Sequence, residues 1–299
     1  MAMVIWASSL IALKLAFRVY DPVVVIFGRM IVGSACFLPL LLRFKPRKQY
    51  RPGDLRLILV MVVCEPCLYF LFEAKALVLT SASQAGMITA MLPVLVAVAA
   101  RFILQERLPW RSYAGFGLAI AGACWLSVSG TPEANAPNPA LGNFLEFVAM
   151  VCATVYIIIL KSLTPRYSPF FLTALQAFAG SLFYFPLLFL PSTRLPSTLD
   201  PVSGGAVIYL GAVVTLGAYA LYNFGVSRIP ASQASAYINL IPVLTLIMGR
   251  LVLGDQFSFQ QYLASAVVFA GIYLSQRKPS PSSVLTPDDR VSIGKAVSR

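Results

Sequence analysis

Long apolar runs, free of charge and separated by short polar connectors, dominate the pattern along this chain. A hydrocarbon core about 30 Å thick needs roughly 20 consecutive apolar residues per helix. By that measure the sequence predicts ten spans, approximately at 1–17, 22–43, 55–75, 81–103, 110–129, 141–161, 169–190, 203–225, 231–253 and 260–276. The connectors, such as Arg43 to Asp54 and Thr131 to Pro139, are rich in Pro, Gly or charge and too short for a soluble domain. The first span carries no small-residue cleavage site and reads as a retained helix, with a cytoplasmic turn expected to be missing before Met1. From Pro279 onward the Pro/Ser-rich, charged tail reads as disordered.

The apolar pattern also repeats. Shifting the chain by 149 lays Ala82-Ser83-Gln84-Ala85 on Ala231-Ser232-Gln233-Ala234 and Pro93-Val94-Leu95 on Pro242-Val243-Leu244. Arg101 falls on Arg250, Leu104 on Leu253, Tyr113 on Tyr262 and Ala121-Gly122 on Ala270-Gly271, giving twelve identities in 41 positions. A shift of 147 matches Lys14 with Lys161, Pro22 with Pro169, Gly33-Ser34 with Gly180-Ser181 and Pro39-Leu40-Leu41 with Pro186-Leu187-Leu188. The expected organisation is therefore two five-helix repeats, at 1–130 and 141–278, followed by a cytoplasmic tail at 279–299. An odd number of spans per repeat inverts one repeat against the other. Inverted repeats are a recurring plan of secondary transporters, in which two equivalent halves expose one midplane site alternately to each side.

Composition narrows the function classes. Hydrophobic residues make up 59% of the 299 positions and charged residues 11%, too apolar for the surface of a soluble domain. The net charge of +12 does not form basic stripes interleaved with aromatics, so nucleic acid is not an expected partner. Instead the Lys and Arg residues sit in connectors. Seventeen lie on the side of the N-terminus and five on the other, with Arg29 inside a span, which predicts cytoplasmic N- and C-termini in an inner membrane. There is no histidine, which removes imidazole metal sites and Ser-His-Asp triads. Cys64-Glu65-Pro66-Cys67 has CxxC spacing but lies in an apolar helix without a second ligand pair, and reads as packing thiols. No enzyme motif, metal or cofactor is expected.

Charged groups within a span are costly and mark functional positions by default. Glu65 lies nine residues beyond Arg56, roughly 14 Å deep at 1.5 Å per residue, near the midplane. Pro66 removes a backbone donor beside it, which places the carboxyl next to freed carbonyls. A carboxyl there couples transport to protons if it exchanges one between the two open states; a static ion pair with Arg29 is the competing reading. Glu65, Tyr69 and Phe72 or Glu73 form one stripe on the third span, and Thr215, Tyr219 and Tyr222 another on its repeat counterpart, so both stripes are expected to line one pocket. Gln84 and Gln233 hold matched positions upstream of Pro93 and Pro242, with Tyr237 and Asn239 close to the latter pair. Pro66, Pro93 and Pro242 are hinge candidates, with static packing kinks as the alternative for the last two. A substrate carboxylate is one partner for Lys14, but its repeat counterpart Lys161 lies at the opposite membrane face, and both read as helix-end lysines snorkelling to water. Arg101 with Glu106 and Arg250 with Asp255 read as structural pairs, and Trp6 as either a cavity residue or an interfacial anchor.

With these residues in view the chain resembles the drug/metabolite transporter superfamily, specifically the ten-helix EamA-type permeases, over nearly its whole length. Trp6-Ala-Ser-Ser9 with Lys14, Asp21-Pro22 with Arg29, Thr80-Ser-Ala-Ser-Gln84, Pro93, Gln105-Glu106-Arg107-Leu108 and the second-half copies ending at Leu253-Gly254-Asp255 carry the resemblance. It implies an all-α integral membrane fold of ten helices in two inverted repeats around a central cavity, and export of small metabolites or amino acids. The superfamily also contains exchangers of phosphorylated and nucleotide-linked solutes. Those would want several cations converging on the midplane, where this chain offers Arg29 and at most Lys14 or Lys75. A non-transporting structural or receptor protein would leave the polar midplane without a purpose.

Overall fold

The structure, a computed structural model, describes residues 1–41, 51–105, 110–129 and 136–276. The regular structure of these residues is helical, and it forms ten rods. They are α1 (Ala2–Phe17), α2 (Pro22–Leu41), α3 (Asp54–Leu79), α4 (Ala82–Ile103), α5 (Trp110–Val128), α6 (Pro139–Leu163), α7 (Pro169–Leu187), α8 (Pro201–Arg228), α9 (Ala231–Leu253) and α10 (Phe259–Gln276). Seven of these, α2 to α4 and α6 to α9, are long and apolar enough to cross a membrane, and α1 is a shorter apolar helix. The polarity is that of a multi-pass membrane protein. Leu38, Phe102, Leu182 and Leu251 face outward, whereas Arg29, Glu65, Glu73, Glu146 and Asn223 are buried inside.

Proline sets both the starts and the breaks of the rods. Pro22, Pro139, Pro169 and Pro201 begin four of them, where a missing N–H costs nothing. Asn138 Oδ1 accepts from the Leu141 N–H at 3.2 Å and Asp200 Oδ2 from the Ser203 N–H at 2.7 Å, capping α6 and α8. Inside α3 the helix opens at Glu65 (φ −143°, ψ 122°), the extended conformation that a following proline imposes. In α4 the turn before Pro93 tightens, with Ala90 and Met91 N–H bonded three residues back to Met87 and Ile88 carbonyls. In α9 a short 3₁₀ turn at Tyr237–Asn239 precedes Pro242. Both matched prolines therefore sit just beyond an irregular turn, because neither can donate to the carbonyl four residues earlier.

The rods pack reciprocally. α1 lies against α8 and α9, and its repeat partner α6 against α3 and α4; α2 meets α7 and α5 meets α10. Ser34 and Ser181, matched by the 147-residue shift, bring their hydroxyls to 3.0 Å where α2 meets α7. Tyr20 and Tyr167 are matched by the same shift and hold equivalent corners. Tyr167 OH donates to Asp54 Oδ2 at the start of α3, and Tyr20 OH accepts from the Asp200 N–H at the start of α8. The α3 corner has an added ion pair, Arg166 Nη2 to Asp54 Oδ1 at 2.6 Å. Small residues permit the closest approaches. A Cβ on Gly180 of α7 would stand 2.6 Å from Met30 Sδ and 2.7 Å from Pro66 Cγ, so glycine lets α7 lie directly on the break in α3.

The expected pair of Arg101 with Glu106 lies outside the described residues at Glu106, as does the tail 279–299. For the second copy the pairing is different from the expectation. Arg250 Nη1 reaches only the main-chain oxygen of Asp255 at 3.4 Å, while the Asp255 carboxylate accepts from the Ser83 N–H at 3.0 Å. The N-terminal turn of α4 has free N–H donors to offer, and the Asp255 carboxylate accepts from one of them in place of pairing with Arg250.

Candidate functional site

The break in α3 faces a cavity of about 50 Å³. Both repeats build its wall. Trp6, Ser9 and Leu10 come from α1, Arg29 from α2, Glu65, Tyr69 and Glu73 from α3 and Thr89 from α4; α6 adds Ala153, Tyr156 and Ile157, α8 Tyr219 and Tyr222, and α9 Ile241. The two predicted stripes thus meet. Thr215, the third member of the α8 stripe, lines a smaller adjoining pocket with Glu65, Pro66 and Gln176.

Two carbonyls at the break receive side-chain donors from α7. Gln176 Nε2 of α7 donates to Glu65 O at 3.1 Å and Tyr184 OH, two turns further along, to Cys67 O at 2.7 Å. In a medium without water such groups must find partners within the protein. The second repeat therefore fastens the distortion that Pro66 creates in the first.

Arg29 is 1% exposed and forms no ion pair within 4 Å among the described residues. Its Nε donates to Thr215 Oγ1 at 3.1 Å, and its guanidinium carbon lies 4.1 Å from the Phe70 ring centroid and 5.7 Å from that of Tyr219. The competing reading of a tight Arg29–Glu65 pair is not what the side chains form. Cation–π contact and one hydrogen bond seat the guanidinium, which interacts with Glu65 and Glu73 through space.

Three buried carboxyls gather here. Glu65 interacts with Tyr219, and Glu73 Oε1 accepts from Tyr69 OH at 2.7 Å. Glu146 of α6, 0% exposed, lies near Thr89 and Glu73. Glu65 Oε1, Glu73 Oε2 and both Glu146 oxygens make no hydrogen bond with the described residues, and neither do Trp6 Nε1 and Tyr222 OH. The Trp6 ring packs against Tyr219 and Tyr222, with centroids 5.0 and 4.7 Å away, so Trp6 is a wall of the cavity. Tyr156 bonds Asn223, which in turn donates to Thr173 Oγ1 at 2.8 Å.

Of the residues singled out from sequence, Glu65, Arg29, Tyr69, Tyr219 and Tyr222 reach the main cavity. Gln84 does not. It accepts from Asn143 Nδ2 at 3.0 Å, and Thr80 donates to the same Asn143, so it joins α4 to α6. Gln233 is exposed and Tyr237 is 62% exposed, both away from the cavity, while the amide of Asn239 is buried without a hydrogen-bond partner among the described residues. The α4 and α9 copies differ because α4 is enclosed by its neighbours whereas α9 keeps a broad outer face. Pro66 lines the adjoining pocket; Pro93 and Pro242 are buried in their rods.

Sequence reasoning passed over Glu146, Thr89 and Tyr156. Glu146 was reachable by the rule that selected Glu65, an acid within a span. Thr89 and Tyr156 carried no such signal, because their types are ordinary in membrane helices. Lys161 Nζ donates to the Val226 and Ile229 carbonyls at 2.9 and 2.7 Å, so it closes the end of the neighbouring α8 where the sequence suggested a side chain reaching for water.

Comparison with known proteins agrees with this architecture. The chain is 25% identical over 299 residues to the uncharacterized transporter YetK of Bacillus subtilis, covering 97% of this chain and 89% of that one. It is 26% identical over 283 residues to a probable terminal-alkyne amino-acid exporter of Streptantibioticus cattleyicolor, covering 93% and 92%. A solved crystal structure shares the fold with a TM-score of 0.64 at 20% identity, covering 92% of this chain and 93% of that one. The model of the EamA-like transporter family matches twice, over residues 1–128 and 140–276, and the chain belongs to that family.

Proposed function

We propose that this transporter exports small metabolites such as amino acids across the cytoplasmic, inner membrane by alternating access, with both termini in the cytoplasm and protons as the coupling ion. The observation that carries the reading is the central cavity, lined by α1 to α4 of one repeat and α6, α8 and α9 of the other, with Glu65 at the break in α3. A site shared by two reciprocally packed halves is open to exchange between faces when one half rocks against the other. Glu65, Tyr69, Tyr219, Tyr222 and Arg29 are the candidate binding and coupling residues, and Pro66, Pro93 and Pro242 the candidate hinges. The name of the Streptantibioticus relative supports an amino-acid-like cargo. Exchange of phosphorylated solutes is the weaker reading, since Arg29 is the one basic residue in the cavity wall.

The test is solute flux in proteoliposomes with an imposed pH gradient, comparing the parent with Glu65→Gln. Gradient-driven flux that Glu65→Gln abolishes is the expected result. Flux indifferent to both the gradient and the substitution would sink proton coupling through Glu65.

A further inference from the structure

We infer that a membrane phospholipid docks where the connector from α7 to α8 crosses the corner between α1 and α2. Its headgroup phosphate is received by Arg194, Ser197 and Thr198, its headgroup ammonium by Asp21, and its apolar part by Phe17 and Leu195. The ligand class is a zwitterionic glycerophospholipid with a primary amine in its head. The site is separate from the central cavity and does not depend on what the protein carries.

The connector is fastened to the corner at two points. The Arg194 N–H donates to Asp21 Oδ2 at 3.3 Å, and the Asp200 N–H donates to Tyr20 OH at 2.8 Å, which donates back to Asp200 O at 3.3 Å. Residues 195–199 arch between these points and make no hydrogen bond to the described residues. Between arch and corner lies a hollow of about 440 Å³. Its wall holds one group of each sign. The guanidinium of Arg194 and the hydroxyls of Ser197 and Thr198 line it and bond none of the described residues. Asp21 accepts from the Val23 N–H at 2.9 Å on one oxygen and from the Arg194 N–H on the other, and each oxygen keeps a further lone pair. The Arg194 and Asp21 side chains form no ion pair within 4 Å, so both are available to a ligand. A guanidinium and two hydroxyls match phosphate oxygens, and a carboxylate matches an ammonium. An anionic head would bring unmatched negative charge to Asp21, and a quaternary amine has no N–H to give it.

The exposed side chains identify the occupant as a lipid. Leu195 and Leu199 are 63% and 93% exposed, and Val19, Phe189, Leu190 and Val202 around them are exposed as well. The spans α2, α3, α7 and α8 have their ends here, so the connector lies at the level of the headgroups. An amphipathic segment at that level sinks its apolar side chains into the acyl boundary and keeps its polar groups among the phosphates. The hollow is amphipathic in the same way, with Phe17, Pro22 and Leu195 in one wall with Arg194 and Asp21. Free phosphate would leave those apolar residues without a partner.

The full chain, purified in detergent, is titrated with phosphatidylethanolamine, phosphatidylcholine or phosphatidylglycerol of identical acyl chains, and bound lipid is counted by native mass spectrometry. Preferential retention of phosphatidylethanolamine is the expected result. Arg194→Gln and Asp21→Asn should each weaken it about three- to tenfold, the asparagine still capping α2. Ser197→Ala with Thr198→Ala tests the phosphate side without touching the corner and should weaken it as well. Arg250→Gln, at an exposed basic residue at the end of α9 outside the hollow, should leave it unchanged. Thermal midpoints taken alongside show that each variant folds. Glycerophosphoethanolamine, the head without its tails, and inorganic phosphate should fail to displace the lipid at its own concentration. Equal or stronger retention of either other lipid, parent-like retention in the Arg194, Asp21 and Ser197/Thr198 variants, or an equal loss in Arg250→Gln would overturn the site. Displacement by the tail-less head or by phosphate would make it a site for soluble phosphates and remove the lipid.

Discussion

Ser34 and Ser181 are 147 residues apart, the offset that superposes the first two spans of the two repeats, and their hydroxyls meet at 3.0 Å. Two repeat-matched residues can touch each other only where the relation between the halves maps a place onto itself. The α2–α7 contact therefore marks the pseudo-twofold axis.

This contact should be readily cross-linked. In a background with Cys36, Cys64, Cys67, Cys124 and Cys152 replaced, Ser34→Cys with Ser181→Cys should form an intramolecular disulfide under mild oxidant, visible as a reducible mobility shift. Absence of that shift in a folded double variant would contradict the axis.

The break in α3 should depend on α7. Gln176→Leu leaves Glu65 O without its donor and Tyr184→Phe does the same to Cys67 O. Each is expected to destabilise the protein by about 0.5–2 kcal/mol, the range of interhelical hydrogen bonds in membranes. Unfolding in mixed micelles measures this, and parent-like stability in both variants would show that the carbonyls need no partner.

Tyr69→Phe removes the hydroxyl that donates to Glu73 Oε1 while keeping the ring. Leaving a buried carboxyl oxygen without its hydrogen bond costs about 1–3 kcal/mol, so substrate flux should fall about tenfold with expression unchanged. Val78→Ala, on the outer face of the same helix, serves as the control and should leave flux intact.

Asp200 gives a pH dependence outside the spans. The Ser203 backbone N–H, helped by the Ser203 hydroxyl, holds the carboxyl below the usual range. A depressed value means that the charged cap stabilises the fold above the ordinary carboxylate pKa of about 3.9 and that this is lost as pH falls through the folded value. Thermal midpoints measured from neutral to acid pH should fall less steeply for Asp200→Asn, which still caps the helix but has no proton to take up. Superimposable acid limbs for the two proteins would refute it.

The ten helices were legible because lipid demands one thing from each rod, an unbroken apolar length, and that demand is written locally. The repeats were legible because Gln84 with Gln233 and Pro93 with Pro242 are scarce types at one fixed offset. Glu65 stood out because a charge within a span has few tolerable reasons to be there. Which side of a rod faces inward was another matter. Gln84 and Gln233 are equivalent in sequence, yet one is buried on Asn143 and the other is exposed, because lipid-facing and protein-facing sides of a membrane helix are both apolar and periodicity separates them poorly. The capping of Glu65 O by Gln176, the cation–π seating of Arg29 and the gathering of Glu146 with Glu73 join residues from different rods. Such contacts depend on the rotation of each helix about its axis, a quantity set by packing among all ten and carried by no single stretch of the chain.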